Sequence, residues 1–427
     1  MHRVQAIATI GDVSSFWHPF ANMAETASRG RIVFVSGEGS HLTDSEGKRY
    51  FDASGGLWYN AVGHGRERIA RAIAEQAQKI AATTCFDVYA TDVTLEVADR
   101  IAALSPLEGA RVFLTSGGSD SVDSAGKIIR RYFALRGEPE RTVCIAREGA
   151  YHGMHAYGTS LAGIPGNHDG WGPLVREVEH VTAFNAEALE EKIREVGAER
   201  VAAFFAEPVI GAGGVFPPPE GYLPAVREVC DRHGVLLVCD EVVTGVGRLG
   251  RWTASERFGV RPDLIILAKI LTSGYQPLGA VVVSSEVSEP FFDGDGAWLK
   301  HGYTYSGHAT ACAAAVANLE IMEEERLVDR VAEIEESLPR LLGPLAELEG
   351  ISEVRAIGLL AGVQLDAPWF EERGVPLAEV AVAVRERGQL SRLLASGALQ
   401  FSPPFVSTEE DIAGFAEATA DALASFA

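Results

Sequence analysis

Two charged residues stand where charge is costly. The run 235–239 (VLLVC) leads into Asp240, and the run 264–268 (LIILA) leads into Lys269. Both runs are continuously apolar, as strands buried on both faces are. A carboxylate or an ammonium beside such a strand is expensive unless something pairs with it. Each alone reads equally well as a neighbour's ion-pair partner or a loop residue. Two opposite charges at two strand ends, both followed by Gly-rich turns, point to one shared site. A third strand end fits the same face. The run 111–115 (RVFLT) leads into Ser116-Gly117-Gly118-Ser119-Asp120 and then a helical pattern. In an open parallel sheet, ligands bind beyond the carboxyl ends of the strands. Small residues let the backbone approach a ligand, and a helix N-terminus offers N–H groups to a phosphate. By itself this turn reads equally as a helix cap, because it lacks the Walker lysine and the dinucleotide spacing. A phosphate cradle, a carboxylate and a lysine on one face together suggest pyridoxal phosphate (PLP). The lysine would hold its aldehyde as a Schiff base. The carboxylate would keep the pyridine nitrogen protonated, and the helix terminus would hold the phosphate.

These residues need a sheet to position them. Residues 111–115, 142–146, 201–206, 235–239, 264–268 and 280–284 are short apolar runs without alternation. Helical patterns lie between them, such as 121–135 and 222–233, the second ending at Gly234 in a C-cap position. Strand–helix alternation predicts an α/β fold with a doubly wound, mostly parallel sheet. Beyond residue 305 the pattern changes. Helices are expected over 309–325 and 330–348, short strands over 358–365 and 399–402, and a last helix over 409–426. This reads as three parts. Residues 61–305 form a large cofactor domain, 306–427 a small α+β domain, and 1–60 a segment that packs with the small one.

Composition excludes other classes. The 427 residues carry 37 Lys+Arg against 59 Asp+Glu, a net charge of −22. Nucleic acid and anionic membranes are poor partners for such a chain. Hydrophobic residues at 47% and charged residues at 22% are globular values and argue against wholesale disorder. The five cysteines (Cys85, Cys144, Cys230, Cys239, Cys312) are odd in number and form no CxxC pair. They read as free thiols in a reducing compartment, with no zinc site. The opening stretch 1–16 is too interrupted for a signal peptide, and no apolar run would span a bilayer. The expectation is a soluble cytoplasmic protein that binds no metal.

Three runs carry a resemblance to a known family. They are 240–250 (DEVVTGVGRLG), 262–269 (PDLIILAK) and 271–280 (LTSGYQPLGA). Together they resemble the signature of class III aminotransferases, which are fold-type I PLP enzymes. The likeness extends from Phe51-Asp52 to Pro403-Pro404. It implies a large domain with a mostly parallel seven-stranded sheet, a small α+β domain, and a homodimer, or a tetramer built from it, with shared sites. Lys269 then resembles the Schiff-base lysine and proton shuttle, and Asp240 the pyridinium partner. Val242 would pack on one ring face and Tyr151, in the Tyr-His-Gly run 151–153, on the other. His152 reads as structural. Gly118 and Ser119 would bind the phosphate, and Glu207 would lie near the cofactor's hydrogen bonds. The run 301–308 (HGYTYSGH) resembles the segment that crosses the interface. Thr304 would there bind the phosphate of the partner's cofactor, and Tyr303 would line its pocket.

The branch of the family is read from departures. Ala212 and Val243 stand where members acting on ornithine or γ-aminobutyrate carry glutamate and glutamine. Both resemble the amine:pyruvate, or ω-transaminase, branch. Trp58 and Phe86 would edge the substrate pocket, Phe86 from the neighbouring subunit. Arg392 precedes Pro403-Pro404 at nearly the spacing of a mobile arginine that clamps a substrate carboxylate. A surface arginine is the alternative there, since the usual Arg-Pro pair is missing. The implied reaction moves an amino group from a primary amine or ω-amino compound to an α-keto acid such as pyruvate, by a ping-pong mechanism. A related PLP aminomutase or decarboxylase, or a non-catalytic binding protein on the same fold, remains the alternative.

Overall fold

The computed structural model describes residues 14–293 and 297–427. Most of the opening stretch 1–16, read above for a targeting signal, lies outside the described residues. The central sheet has seven strands: β4 (Arg111–Thr115), β5 (Val143–Arg147), β6 (Val178–Val181), β7 (Val201–Ala206), β8 (Leu236–Asp240), β9 (Leu264–Leu267) and β10 (Gly279–Val283). Their order is β4-β10-β9-β8-β7-β5-β6. Neighbours from β6 to β9 pair in parallel, while β10 runs antiparallel to both β4 and β9. This is the mostly parallel α/β sheet expected of fold-type I.

Every residue of β5, β7, β8, β9 and β10 is buried, which is why these runs carry no polar alternation. Each buried Val, Leu or Ile contributes about 1.5–3 kcal/mol. That reserve holds the strands in place against the cost of a charge at their ends. The seventh strand, β6, escapes a search for apolar runs. It is an edge strand of sequence Val-Glu-His-Val with three residues only half-buried.

A three-stranded antiparallel sheet follows near the C-terminus: β11 (Ile351–Ile357), β12 (Leu360–Leu365) and β13 (Ala398–Phe401). The N-terminal strands β1 (Phe34–Glu38), β2 (His41–Asp44) and β3 (Arg49–Phe51) form another. Chain ends meet here. Leu390 N–H donates to Phe51 O at 2.9 Å, and Ser402 N–H to Ala53 O at 2.7 Å. The helix Ala309–Glu324 is buried almost throughout and packs on Glu67–Ile80 and Asp92–Leu104, beside the large sheet. The helix Tyr222–His233 ends at Gly234, whose φ of 63° is the left-handed cap that glycine permits. Among the described residues, no helix is long and apolar enough to cross a membrane.

Candidate active site

One cavity of about 440 Å³ opens at the carboxyl ends of β8 and β9. Lys269, Asp240, Gly118, Ser119, Tyr151, Glu207 and Val242 all line it. Asp240 is the last residue of β8 and only 4% exposed. Its Oδ2 lies 2.7 Å from His152 Nδ1, and its Oδ1 accepts the Val242 N–H at 3.1 Å. His152 is buried as well, so each is the other's answer to burial. Glu207 follows β7. Its Oε1 accepts the Tyr151 N–H at 2.9 Å and its Oε2 the Gly211 N–H at 3.0 Å. Burial pushes its carboxyl above the usual range, and the nearby Asp240 charge adds to that against the pull of His152.

Lys269 follows β9 after one residue. Its φ of 47° lies in the left-handed region, strain that a side chain bearing a Cβ adopts only where the surroundings impose it. Loss of water around the ammonium lowers its pKa to about 8, against the opposing pull of Asp240 and Glu207. The free amine is the nucleophile toward an aldehyde. The apo-protein should therefore capture the cofactor faster as pH rises, with a midpoint at about 8, readable by stopped-flow absorbance. An unfolded lysine titrates near 10.5, so the unfolded chain binds more protons between those values. Apo-protein stability should rise with pH across the same window.

Trp58 reaches this chemistry from the turn Gly55–Trp58, and it is 4% exposed. Lys269 Nζ lies 5.6 Å from its ring centroid, and the Arg392 guanidinium carbon 4.5 Å. Arg392 is thus half-buried beside the cavity rather than on the surface. Burial lowers its pKa from the ordinary arginine value. Trp58 and Arg392 stand near Lys269 without lining the cavity themselves, and Phe86, Tyr303 and Thr304 do not line it either. Phe86 is 52% exposed and packs on Gly302, where an added Cβ would meet its ring at 2.9 Å. The Tyr303 hydroxyl donates to Asp120 O at 2.9 Å, outside the pocket, and Thr304 is exposed.

Two residues escaped sequence reasoning. Tyr59 lines the cavity, its ring slotted between Gly56 and Gly274; a Cβ on either would sit within 2.3 Å of it. Gln400, buried on β13, binds Arg392. An amide in an otherwise apolar strand is the available signal, since a buried amide must find partners.

The class III aminotransferase model matches residues 23–423. The chain belongs to that family. It is 35% identical to the β-alanine–pyruvate aminotransferase of Pseudomonas aeruginosa, over 96% of each chain. It is 33% identical to the ω-amino acid–pyruvate aminotransferase of Pseudomonas putida, over 99% of this chain and 98% of that one. Among solved structures it is similar to an (S)-enantioselective ω-transaminase from Thermomicrobium roseum, with 37% identity, 96% of each chain covered and a TM-score of 0.91. An amine transaminase from an uncultivated Pseudomonas species, solved in a PLP-bound form, matches at 36% identity and a TM-score of 0.92, over 97% of this chain and 99% of that one.

Class III aminotransferases depend on PLP, and the residues present here fit it. A Cβ on Gly118 would lie 3.1 Å from Val242, so glycine keeps open the space between the helix start and the cavity wall. The helix Gly118–Leu135 begins there, with first-turn N–H groups that have no partner within the helix. Gly153 has a φ of 91°, and a Cβ on it would fall 2.4 Å from Ser119 Oγ. A phosphate cradle, a buried carboxylate and a lysine of lowered pKa thus share one cavity. Among the described residues, no group of three or more His, Cys, Asp or Glu could hold a metal ion.

Proposed function

We propose that this aminotransferase takes nitrogen from a primary amine or ω-amino acid and passes it to an α-keto acid such as pyruvate, in two half-reactions. The supporting observation is Arg392, a cation over the Trp58 ring and beside Lys269. An α-keto acid brings a carboxylate, and a guanidinium recognises one with two parallel hydrogen bonds. The similarity to pyruvate-using relatives supports the same acceptor.

When bound, PLP supplies a ring that takes up the charge left as a proton leaves the amine-bearing carbon. Lys269 Nζ would lift that proton and return it on the cofactor side. Asp240, held by His152, would place a negative charge at the pyridine nitrogen. Val242 and Tyr151 would bracket the ring, Gly118 and Ser119 would hold the phosphate, and Glu207 would fix the Tyr151 loop through its N–H bond. Trp58 would wall the substrate side. The reading extends to a homodimer in which Phe86, Tyr303 and Thr304 serve the partner's site. Phe86, Val88, Tyr89 and Tyr305 are between 52% and 82% exposed, an apolar face that a second copy would cover. A large cofactor domain over 61–305, completed by a smaller domain from both chain ends, and a cytoplasmic location belong to the same reading.

Incubation with an amine donor and pyruvate tests it. Alanine should form without release of carbon dioxide, and double-reciprocal plots should be parallel. Carbon dioxide release or intersecting plots would sink the proposal. Arg392→Ala should raise the KM for pyruvate by about tenfold to a hundredfold, the worth of a charge-assisted hydrogen bond or two. The KM for a neutral amine should change by a smaller factor, as steady-state kinetics would report.

A further inference from the structure

Arg392 presents its guanidinium in a defined orientation, and the cause lies one strand away. Its Nε donates to Gln400 Oε1 at 2.9 Å. Gln400 is fully buried on β13. Its Nε2 donates to Ser54 O at 3.1 Å and to Ser402 Oγ at 2.7 Å. Ser402 Oγ in turn donates to Ser54 O at 2.9 Å. A flipped amide would set its NH₂ against the guanidinium and lose both acceptors, so the carboxamide has one viable orientation. Ser54 immediately precedes the turn that carries Trp58. One network therefore holds both the cation and the ring beneath it. Among the described residues, neither Nη of Arg392 has a hydrogen-bond partner within the chain.

We propose that Gln400 is a positioning residue for carboxylate recognition: by accepting the Arg392 Nε–H it holds the guanidinium over Trp58 and leaves the Nη groups free for the substrate's carboxylate. An arginine offers five N–H donors in a rigid fork, and spending one of them on a fixed acceptor sets where the others point. The inference rests on the reading of Arg392 as the carboxylate-binding cation. It predicts selectivity for carboxylate substrates over neutral ones.

The test uses the holoenzyme. Gln400→Leu should raise the KM for pyruvate about tenfold, as loss of a hydrogen bond to a charged group does. It should weaken binding of propionate, an unreactive carboxylate, by a similar factor, read by titrating the cofactor's absorbance. The kcat/KM for a neutral amine should fall by a clearly smaller factor. In an Arg392→Ala background Gln400→Leu should add nothing, because its effect runs through the arginine. Equal losses for both substrates, or a loss that persists without Arg392, would overturn the proposal. Should the leucine variant not fold, Ser402→Ala decides it. That change loosens the amide and should shift the pyruvate KM and propionate affinity in the same direction by less; unchanged values overturn the proposal. If Arg392→Ala itself leaves pyruvate and propionate unaffected, the reading of Arg392 fails. If it weakens both while neither Gln400→Leu nor Ser402→Ala does, only the inference about Gln400 fails.

Discussion

Lys269→Ala should abolish amine transfer and leave the fold standing. A positioned general base supplies up to about 10⁴-fold in rate, and Lys269 is the amine that lines this cavity. The loss in kcat should therefore reach about four orders of magnitude, or about 5.5 kcal/mol of barrier. Covalent capture of the cofactor should vanish with it. Borohydride followed by mass spectrometry should add the mass of a reduced cofactor to the wild-type chain and none to the variant. The phosphate cradle and Asp240 are untouched, so the variant should still bind PLP, but release it on dialysis. Stability is the control. The ammonium is held against its desolvation, which lowers its pKa to about 8, so removing it at neutral pH should not lower the melting temperature of the apo-protein. A small added amine should restore part of the rate. Undiminished turnover in the variant would end the assignment, and so would a labelled chain.

Why Lys269 and Asp240 were visible in the sequence, while other parts of the site were not, has a physical answer. Strands buried on both faces must be apolar throughout, so β8 and β9 read as plain runs, and a charge at their ends stands out. The edge strand β6 mixes Glu179 and His180 with valine, and β11 exposes Glu353. Strands with a wet face or edge give no such run. Aromatic type alone is also blind to place. Trp58 packs beside Lys269 while Phe86 is half-exposed and Tyr303 bonds Asp120 away from the cavity, and only the packed chain separates them. Tyr59 owes its slot to Gly274, and Gln400 owes its orientation to Ser54, 346 residues away. Neither contact leaves a local pattern. His152 reads as structural from its run alone, and its 2.7 Å contact with Asp240 gives that reading a specific content.

Asp240→Asn should cost about 10²–10³ in kcat, the effect of removing one preorganised charge at a reacting centre. Asparagine keeps the shape and one acceptor oxygen, so the Val242 N–H retains a partner. It loses the negative charge that would stabilise a protonated pyridine nitrogen. The same substitution should move Lys269 the opposite way. Of the charges that favour the Lys269 ammonium, Asp240 is the strongest, ahead of Glu207. Without it the desolvation of the ammonium meets less opposition, and the proton leaves at lower pH. Cofactor capture by the apo-variant should then show a midpoint below the wild-type value of about 8. So the variant should bind covalently across a wider pH range while turning over far more slowly. A damaged fold would lower both together, and a carboxylate unconnected to the cofactor would lower neither. An Asp240→Asn enzyme with near wild-type kcat, or with an unmoved capture midpoint, would show that this carboxylate does not face both the ring nitrogen and the lysine.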